Sequence, residues 1–150
     1  MTDPASAVSF TVLVVDDSPA DRELYSLLLR GMGLHVINAS DGLQGLVCAR
    51  TLLPDLIITD LRMPALDGWG LMLRLRADAT TAGIPVLLVT GDARELAPAR
   101  VRSAGARALL AKPLDLPDFQ SVVTASRPAR APVPGDAAAP LATCLGAIPA

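Results

Sequence analysis

Five short apolar runs recur along residues 8–126 and are separated by longer segments with helical periodicity. The first four runs are rich in β-branched residues, and the runs do not alternate regularly between apolar and polar positions. This pattern is typical of strands that are buried on both faces of a parallel sheet. The runs span residues 12–15, 34–37, 56–58, 86–89 and 108–111. The pattern therefore predicts five parallel strands.

The segments between these runs predict helices. Ser18 and Pro19 suit an N-cap and a first helical position, and Leu24, Leu27 and Leu28 follow at helical spacing. Similar segments lie at 41–50, at 68–78 and from residue 115 onward. The alternation of strands and helices predicts a doubly wound α/β fold with the strand order 2-1-3-4-5.

Pro98 interrupts the helical segment between residues 92 and 104. A proline inside a helix removes one backbone hydrogen bond and clashes with the preceding turn. We expect this helix to begin late, near Pro98, or to kink there.

Residues 127–150 differ from the rest of the chain because they are rich in alanine and proline. Such a composition makes a poor core and predicts a flexible or polyproline-like tail. The domain is therefore expected to span residues 8–126. The apolar residues 141–148 leave open a docking role for the end of the tail.

The charge balance argues against nucleic-acid binding. The chain has 150 residues with 13 Lys+Arg against 15 Asp+Glu, and its net charge is −2. Affinity for nucleic acids comes mostly from basic residues that neutralise phosphates. No apolar stretch approaches the roughly 20 residues of a membrane span, and no signal-peptide pattern is visible at the start of the sequence. We therefore expect neither a nucleic-acid nor a membrane partner.

The two cysteines, Cys48 and Cys144, are far apart in the sequence. Their spacing indicates neither a disulfide framework nor a metal-binding motif. The simplest expectation is that the protein resides in a reducing cytoplasm, with Cys48 an inert residue of the core.

Polar residues follow four of the predicted strands, where ligands bind in open α/β sheets. Asp16 and Asp17 follow the first strand and Asp60 follows the third, whereas Thr90 and Lys112 follow the fourth and fifth. In the order 2-1-3-4-5 the first and third strands are neighbours. We therefore expect the three carboxylates to converge at the ends of these two strands. The hydroxyl of Thr90 and the ammonium of Lys112 should lie on the side of the fourth and fifth strands.

Clustered carboxylates repel one another unless a cation neutralises them, and Mg²⁺ prefers such oxygen ligands. Asp17 and Asp60 are the expected direct ligands. Asp16 is expected to act directly or through water, and the backbone carbonyl of Arg62 could complete the set. A phosphoryl group arriving at Asp60 would then meet positive charge from the ion and from Lys112. Asp60 is the expected nucleophile, and an aspartyl phosphate the expected product.

Several motifs together resemble the receiver domain of two-component response regulators over about residues 10–125. These motifs are Val14-Val15-Asp16-Asp17-Ser18, Ile57-Ile58-Thr59-Asp60-Leu61-Arg62-Met63-Pro64, Asp67-Gly68, Val89-Thr90-Gly91, Ala104-Gly105-Ala106 and Lys112-Pro113. The resemblance implies a flavodoxin-like fold and a stand-alone, chemotaxis-type regulator. It also implies a sensor histidine kinase or a histidine phosphotransfer protein as phosphoryl donor, and a separate protein as downstream partner.

The resemblance also assigns roles to individual residues. It implies that Asp60 is the phosphoacceptor, that Asp16 and Asp17 help to bind Mg²⁺, and that Lys112 contacts the phosphoryl group. It implies that Thr90 is the switch hydroxyl, which moves toward the phosphate and draws the adjoining loop with it.

Two further features concern the region around the lysine. The resemblance implies that the Lys112–Pro113 peptide bond is cis. Most receivers carry Tyr or Phe three residues before this lysine, and that aromatic residue moves inward with the switch hydroxyl; here the position is Leu109. An aliphatic residue leaves a smaller gap, so a weaker coupling between Thr90 and Leu109 is expected.

Two alternatives use the same residues. A phosphohydrolase with an aspartyl-phosphate intermediate usually carries a second Asp two positions after the nucleophile, where this chain has Arg62. A constitutive pseudo-receiver usually lacks the acceptor or the acidic pair, and both are present here. The leading interpretation is a receiver that catalyses its own phosphorylation and slow dephosphorylation and is not a conventional enzyme.

Overall fold

The structure, a computed structural model, describes residues 10–92, 94, 101, 103, 105–126 and 142–143. Its strands are β1 (Thr11–Val15), β2 (His35–Ala39), β3 (Leu56–Asp60), β4 (Val86–Thr90), β5 (Ala108–Ala111) and β6 (Ala142–Thr143). Its helices are α1 (Pro19–Gly31), α2 (Gly42–Leu52), α3 (Gly68–Ala77) and α4 (Leu116–Ala125).

The strands form one parallel sheet in the order β5-β4-β3-β1-β2-β6. The first five strands confirm the predicted order 2-1-3-4-5 and the doubly wound α/β class. β2 extends the sheet on one side of β1, and β3, β4 and β5 extend it on the other side. The order in which successive strands are added therefore reverses between β1 and β3. The carboxyl ends of these two strands therefore flank the point where ligands bind in such folds.

The sheet separates two hydrophobic cores. Leu13 and Val15 of β1 face the core that contains residues of α2 and α3, whereas Val12 and Val14 face the core that contains residues of α1 and α4. All four side chains have no exposed surface. Burial on both faces explains why the strand sequences lack a polar alternation.

Side-chain caps set the beginnings of three helices. Ser18 Oγ accepts a hydrogen bond from the Asp21 N–H at 3.2 Å, which confirms the predicted start of α1. Asp41 and Asp67 cap α2 and α3 in the same way. Pro98 lies outside the described residues, so the expected late start or kink stays a prediction.

Gly68 brings the start of α3 close to the end of β3. A Cβ atom at Gly68 would lie 2.6 Å from the backbone oxygen of Asp60 and 2.9 Å from Leu61 Cα. Any side chain at this position would therefore displace the backbone that carries Asp60. The Asp67-Gly68 pair thus combines a helix cap with the close approach that the site requires.

A sixth strand was not predicted from the sequence. Ala142 and Thr143 pair in parallel with Ile37 and Asn38, at the outer edge of β2. The remainder of 127–150 lies outside the described residues, so the flexible tail and the domain boundary at residue 126 stay predictions. Among the described residues, no helix is long and apolar enough to cross a membrane.

Cys48 corrects one expectation. Its side chain is buried in α2 and is disulfide-bonded, whereas its spacing from Cys144 was interpreted as evidence against a disulfide. Distance along the sequence does not limit distance in space once a chain has folded. The cysteines therefore no longer support a reducing compartment.

Candidate active site

Three carboxylates meet at the carboxyl edge of the sheet. Asp16 and Asp17 directly follow β1, and Asp60 is the last residue of β3, which pairs with β1. Each residue offers an oxygen atom, and these oxygens lie within 4.8 Å of one another. Asp16 has no exposed surface and Asp60 is 7% exposed, whereas Asp17 is open to solvent. The sheet thus brings together the three acids that the sequence placed at strand ends.

Lys112 lies among these acids. Its Nζ donates hydrogen bonds to Asp21 Oδ2 at 2.9 Å, to Asp60 Oδ2 at 3.1 Å and to Asp16 Oδ2 at 3.4 Å. Lys112 directly follows β5, and the Lys112–Pro113 peptide bond is cis. One ammonium therefore offsets negative charge that comes from the ends of β1 and β3 and from α1.

Burial and charge both act on the protonation of this cluster. Burial lowers the pKa of Lys112, but the hydrogen bond to Asp21 and the surrounding negative charges outweigh it and raise that pKa above its ordinary value. Burial also raises the pKa of the Asp16 carboxyl; the Ser18 N–H opposes this effect, and the charge of Asp60 adds to it. A positive charge near Asp16 is therefore favourable.

Asp21 is a member of this cluster that the sequence analysis did not identify. The cap at Ser18 directs the first turn of α1 so that Asp21 reaches Lys112. A carboxylate one turn into a helix that starts beside the acidic pair is the sequence signal that could have indicated this contact.

Thr90 ends β4 next to β3 and is 1% exposed. Its Oγ1 accepts a hydrogen bond from the backbone N–H of Asp92 at 3.0 Å. In this structure the hydroxyl is thus bonded to the loop that follows β4. Movement of the hydroxyl toward Asp60 would break that bond, which links the position of Thr90 to the position of the loop.

Arg62 stands at the mouth of the site. Its backbone N–H donates to Asp60 Oδ1 at 3.3 Å, and its guanidinium lies 3.6 Å from Asp92 Oδ2. An open pocket beside the acids is lined by Asp17, Arg62, Met63, Pro64 and Asp67. Arg62 therefore connects the end of β3 to the loop after β4, a contact that its sequence position did not indicate.

Leu109 lies in β5 opposite Leu88 of β4. It is partly buried and packs against the core that contains α2 and α3. The structure thus places Leu109 two residues before the end of the strand that leads to Lys112. It shows one packed arrangement of this side chain.

The donor set of the site fits a hard divalent cation. All three acids supply carboxylate oxygens, and the exposed position of Asp17 next to the open pocket leaves room for water ligands. An added positive charge beside Asp16 would oppose the burial and the charge of Asp60 that raise the pKa of its carboxyl. The cluster could therefore hold a metal ion.

Comparisons with known proteins agree with this geometry. The sequence profile described as response regulator receiver domain matches residues 12–124. Protein PilH of Pseudomonas aeruginosa is 36% identical over 104 residues, which cover 69% of this chain and 86% of PilH. The polar-differentiation response regulator DivK of Brucella anthropi is 32% identical over 109 residues, which cover 73% of this chain and 89% of DivK.

A longer relative matches over part of its length. The DNA-binding dual master transcriptional regulator RpaA of Synechocystis is 39% identical over 114 residues, which cover 76% of this chain and 47% of RpaA. The chain therefore spans about half of that relative, and the shared part is the receiver.

Solved structures show the same fold. Chemotaxis protein CheY4 of Vibrio cholerae superimposes with a TM-score of 0.74 at 27% identity, covering 80% of this chain and 100% of CheY4. The receiver domain of sensor histidine kinase PA1611 from Pseudomonas aeruginosa, which carries a magnesium ion in its active site cleft, gives a TM-score of 0.71 at 27% identity and covers 79% of this chain and 97% of that domain. Because the receiver profile spans most of this sequence and its relatives share more than 30% identity, the chain belongs to the response regulator receiver domain family.

Proposed function

We propose that Asp60 is the residue through which this receiver accepts a phosphoryl group in two-component signalling. The phosphoacceptor role belongs to the family, and the assignment to Asp60 rests on one observation. Asp60 is the acid that ends β3 within the carboxylate cluster, and its Oδ2 lies 3.1 Å from Lys112 Nζ. That arrangement places a nucleophile next to a fixed positive charge.

The reaction forms one bond and breaks another. An Asp60 carboxylate oxygen attacks phosphorus, and the bond between phosphorus and the nitrogen of a phosphohistidine breaks as the imidazole leaves. Negative charge spreads over the transferred phosphoryl oxygens in the transition state. Lys112 stabilises this charge, so its hydrogen bond shifts from the carboxylate toward the phosphoryl group.

Mg²⁺ is the proposed cofactor. The receiver of PA1611 carries magnesium in its cleft, and the oxygen donors of this cluster suit the same ion. Asp17 and Asp60 would hold it directly, Asp16 directly or through water, and the Arg62 carbonyl would complete the protein ligands. When bound, the ion supplies positive charge that offsets the acids and the phosphoryl oxygens.

Thr90 and Leu109 are the proposed switch residues. A phosphoryl group on Asp60 offers the Thr90 hydroxyl an acceptor that competes with its present bond to the Asp92 N–H. Loss of that bond frees the loop after β4. Leu109, partly buried on the adjacent strand, would repack as the loop moves.

Receiver domains exchange phosphoryl groups with histidine kinases or histidine phosphotransfer proteins. For this chain we propose a phosphohistidine of one of these classes as donor, a separate protein as downstream partner, and the cytoplasm as compartment. The net charge of −2 supports a partner other than nucleic acid, and we propose no membrane partner. The phosphohydrolase and pseudo-receiver alternatives are not favoured, because Arg62 occupies the acid/base position and the acidic residues are intact.

Intact mass after incubation with acetyl phosphate and Mg²⁺ tests the acceptor assignment. The wild type should gain a single phosphoryl mass, and Asp60→Asn should gain none. Asp118→Asn, an exposed acid in the first turn of α4, is the matched control and should be labelled like the wild type. Equal labelling of Asp60→Asn and wild type would overturn the assignment.

A further inference from the structure

Arg22 of α1 reaches the backbone between the two acids that follow β1. Its Nη1 donates a hydrogen bond to the backbone oxygen of Asp16 at 2.6 Å. That oxygen belongs to the peptide group that joins Asp16 to Asp17. The contact therefore acts on the backbone that carries both carboxylates.

Asp16 is also held by contacts of its own. Its backbone N–H donates to the carbonyl of Ala39, at the end of β2, at 3.2 Å. Its Oδ1 accepts a hydrogen bond from the Ser18 N–H at 2.9 Å. Because the Asp16 carboxylate has a partner that orients it, the contact with Arg22 bears mainly on the peptide that leads to Asp17.

The helix turn that carries Arg22 is fixed against β2. Ser26 Oγ donates a hydrogen bond to the backbone oxygen of Arg22 at 2.7 Å and lies 3.2 Å from Asn38 Oδ1. Ser26 and Asn38 are both buried, and Asn38 directly precedes the residue of β2 that accepts the Asp16 N–H. Arg22 thus reaches a fixed backbone from a fixed helix turn.

Asp17 depends on this support more than the other two acids of the cluster. It is exposed, whereas Asp16 and Asp60 are buried. An exposed side chain has more conformational freedom to lose when it binds a ligand. Partners that orient a metal ligand without touching the metal typically change its affinity by about 10- to 100-fold. The direction of the peptide before Asp17 therefore matters for binding of a cation.

We propose that Arg22 is a positioning residue for Mg²⁺. Its hydrogen bond to the Asp16 carbonyl holds the peptide from which the Asp17 carboxylate reaches the ion. This role rests on the proposed Mg²⁺ site and adds to it a residue that does not itself touch the metal.

Charge and hydrogen bonding predict opposite effects of removing Arg22. The guanidinium carries a positive charge next to Asp16, so removal of that charge by itself would favour a bound cation. Removal of the hydrogen bond should instead weaken binding, because the Asp17 carboxylate loses its orientation. The sign of the change in Mg²⁺ affinity therefore separates the two effects.

Isothermal titration with Mg²⁺ measures that sign. Arg22→Met keeps an unbranched side chain and loses the donors and the charge, and its affinity for Mg²⁺ should fall about tenfold. Arg22→Gln, whose amide ends two bonds short of Nη1, should show a similar loss and serves as a second variant. Unchanged or tighter binding in the folded variants would overturn the proposal.

Arg30→Met is the matched control. Arg30 lies on the same helix, and its Nε donates to the backbone oxygen of Ser26 at 3.3 Å. Arg30→Met therefore also loses one charge and one hydrogen bond to a carbonyl, but its affinity for Mg²⁺ should not fall. An equal loss in Arg30→Met and Arg22→Met would contradict a specific role of Arg22.

A double-mutant cycle tests whether Arg22 acts through Asp17. In the Asp17→Asn background, Arg22→Met should change the affinity for Mg²⁺ by less than about twofold, because the carboxylate that Arg22 positions is already absent. A tenfold loss in both backgrounds would contradict this route.

NMR spectra of the metal-free protein give a readout that does not depend on Mg²⁺. The Asp17 amide shares its peptide group with the oxygen that accepts from Arg22. Its nitrogen resonance should move in Arg22→Met and stay in place in Arg30→Met; an unmoved resonance in Arg22→Met would overturn the proposal. A moved resonance in a protein whose wild type binds no Mg²⁺ would overturn the proposed cofactor, and with it the role of Arg22 in metal binding.

Discussion

Lys112 lies closer to Asp21 than to Asp60. Its Nζ is 2.9 Å from the carboxylate of Asp21 and 3.1 Å from that of Asp60. Asp21 is on α1, is partly exposed, and is not one of the three acids that could hold a metal ion. The ammonium that should meet the phosphoryl group is therefore shared with a carboxylate outside that group of three acids.

Asp21→Asn should make Lys112 more available to the phosphoryl group. Partly exposed ion pairs contribute about 0.2–1 kcal/mol, so the rate of labelling by acetyl phosphate at saturating Mg²⁺ should rise up to about fivefold. Stopped-time intact mass measures this rate. Asp118→Asn removes an acid from the first turn of α4 and controls for the effect on the helix dipole. An unchanged or slower rate in Asp21→Asn alone would refute competition for Lys112.

Thr90→Val should separate phosphorylation from the response of the loop after β4. The variant keeps the branched shape and loses the oxygen that accepts the Asp92 N–H. Labelling on Asp60 should persist, whereas the change in the Asp92 amide resonance on phosphorylation should become smaller. NMR spectra of the free and phosphorylated protein measure that change. Thr81→Val, which alters a buried threonine bonded to Leu75 O, should keep the full response.

The same loop carries an acid with a strongly shifted pKa. The side-chain and backbone hydrogen bonds from Arg94 lower the pKa of Asp92 to about 2. A folded-state pKa below the unfolded value means that this contact stabilises the protein above about pH 4 and is lost as the pH falls through about 2. Carboxyl NMR titration should give a midpoint near 2, and Arg94→Ala should move it toward 3.8. A midpoint that does not move would exclude the Arg94 side chain as the cause.

Removal of a proposed metal ligand should weaken Mg²⁺ binding without unfolding the protein. Asp17 is exposed and belongs to neither core, so Asp17→Asn should leave the melting temperature of the metal-free protein nearly unchanged. Its affinity for Mg²⁺ should fall about tenfold or more, since the site loses one of few charged ligands. Isothermal titration with Mg²⁺ measures this. Asp67→Asn, at the rim of the same pocket, is the control for a general loss of negative charge.

The sequence predicted those features of the site that follow from strand ends. Uninterrupted apolar runs identify strands, and parallel strands carry their final residues to one edge, so the convergence of Asp16, Asp17 and Asp60 could be predicted. The contact between Asp21 and Lys112 does not follow from strand ends, because it depends on how the first turn of α1 is directed by its cap. Arg62 reaches Asp92 through side-chain conformations that no sequence pattern specifies.

The C-terminal strand shows a second limit. Ala142 and Thr143 carry no strand pattern that distinguishes them from their neighbours, and two residues are too few for periodicity to be measured. The spacing of the cysteines was wrongly interpreted as evidence against a disulfide, because a fold can join residues that are remote in sequence. Such features depend on tertiary contacts and not on local propensity.

The most direct test of the account is to locate the phosphoryl group on the chain. Borohydride reduction converts an aspartyl phosphate into homoserine, and tryptic digestion yields peptide 51–62, which contains both Asp55 and Asp60. Fragmentation of this peptide after labelling with acetyl phosphate and Mg²⁺ should place homoserine at residue 60 and leave Asp55 intact. Homoserine at Asp16, Asp17 or Asp55 with residue 60 unchanged would contradict the account.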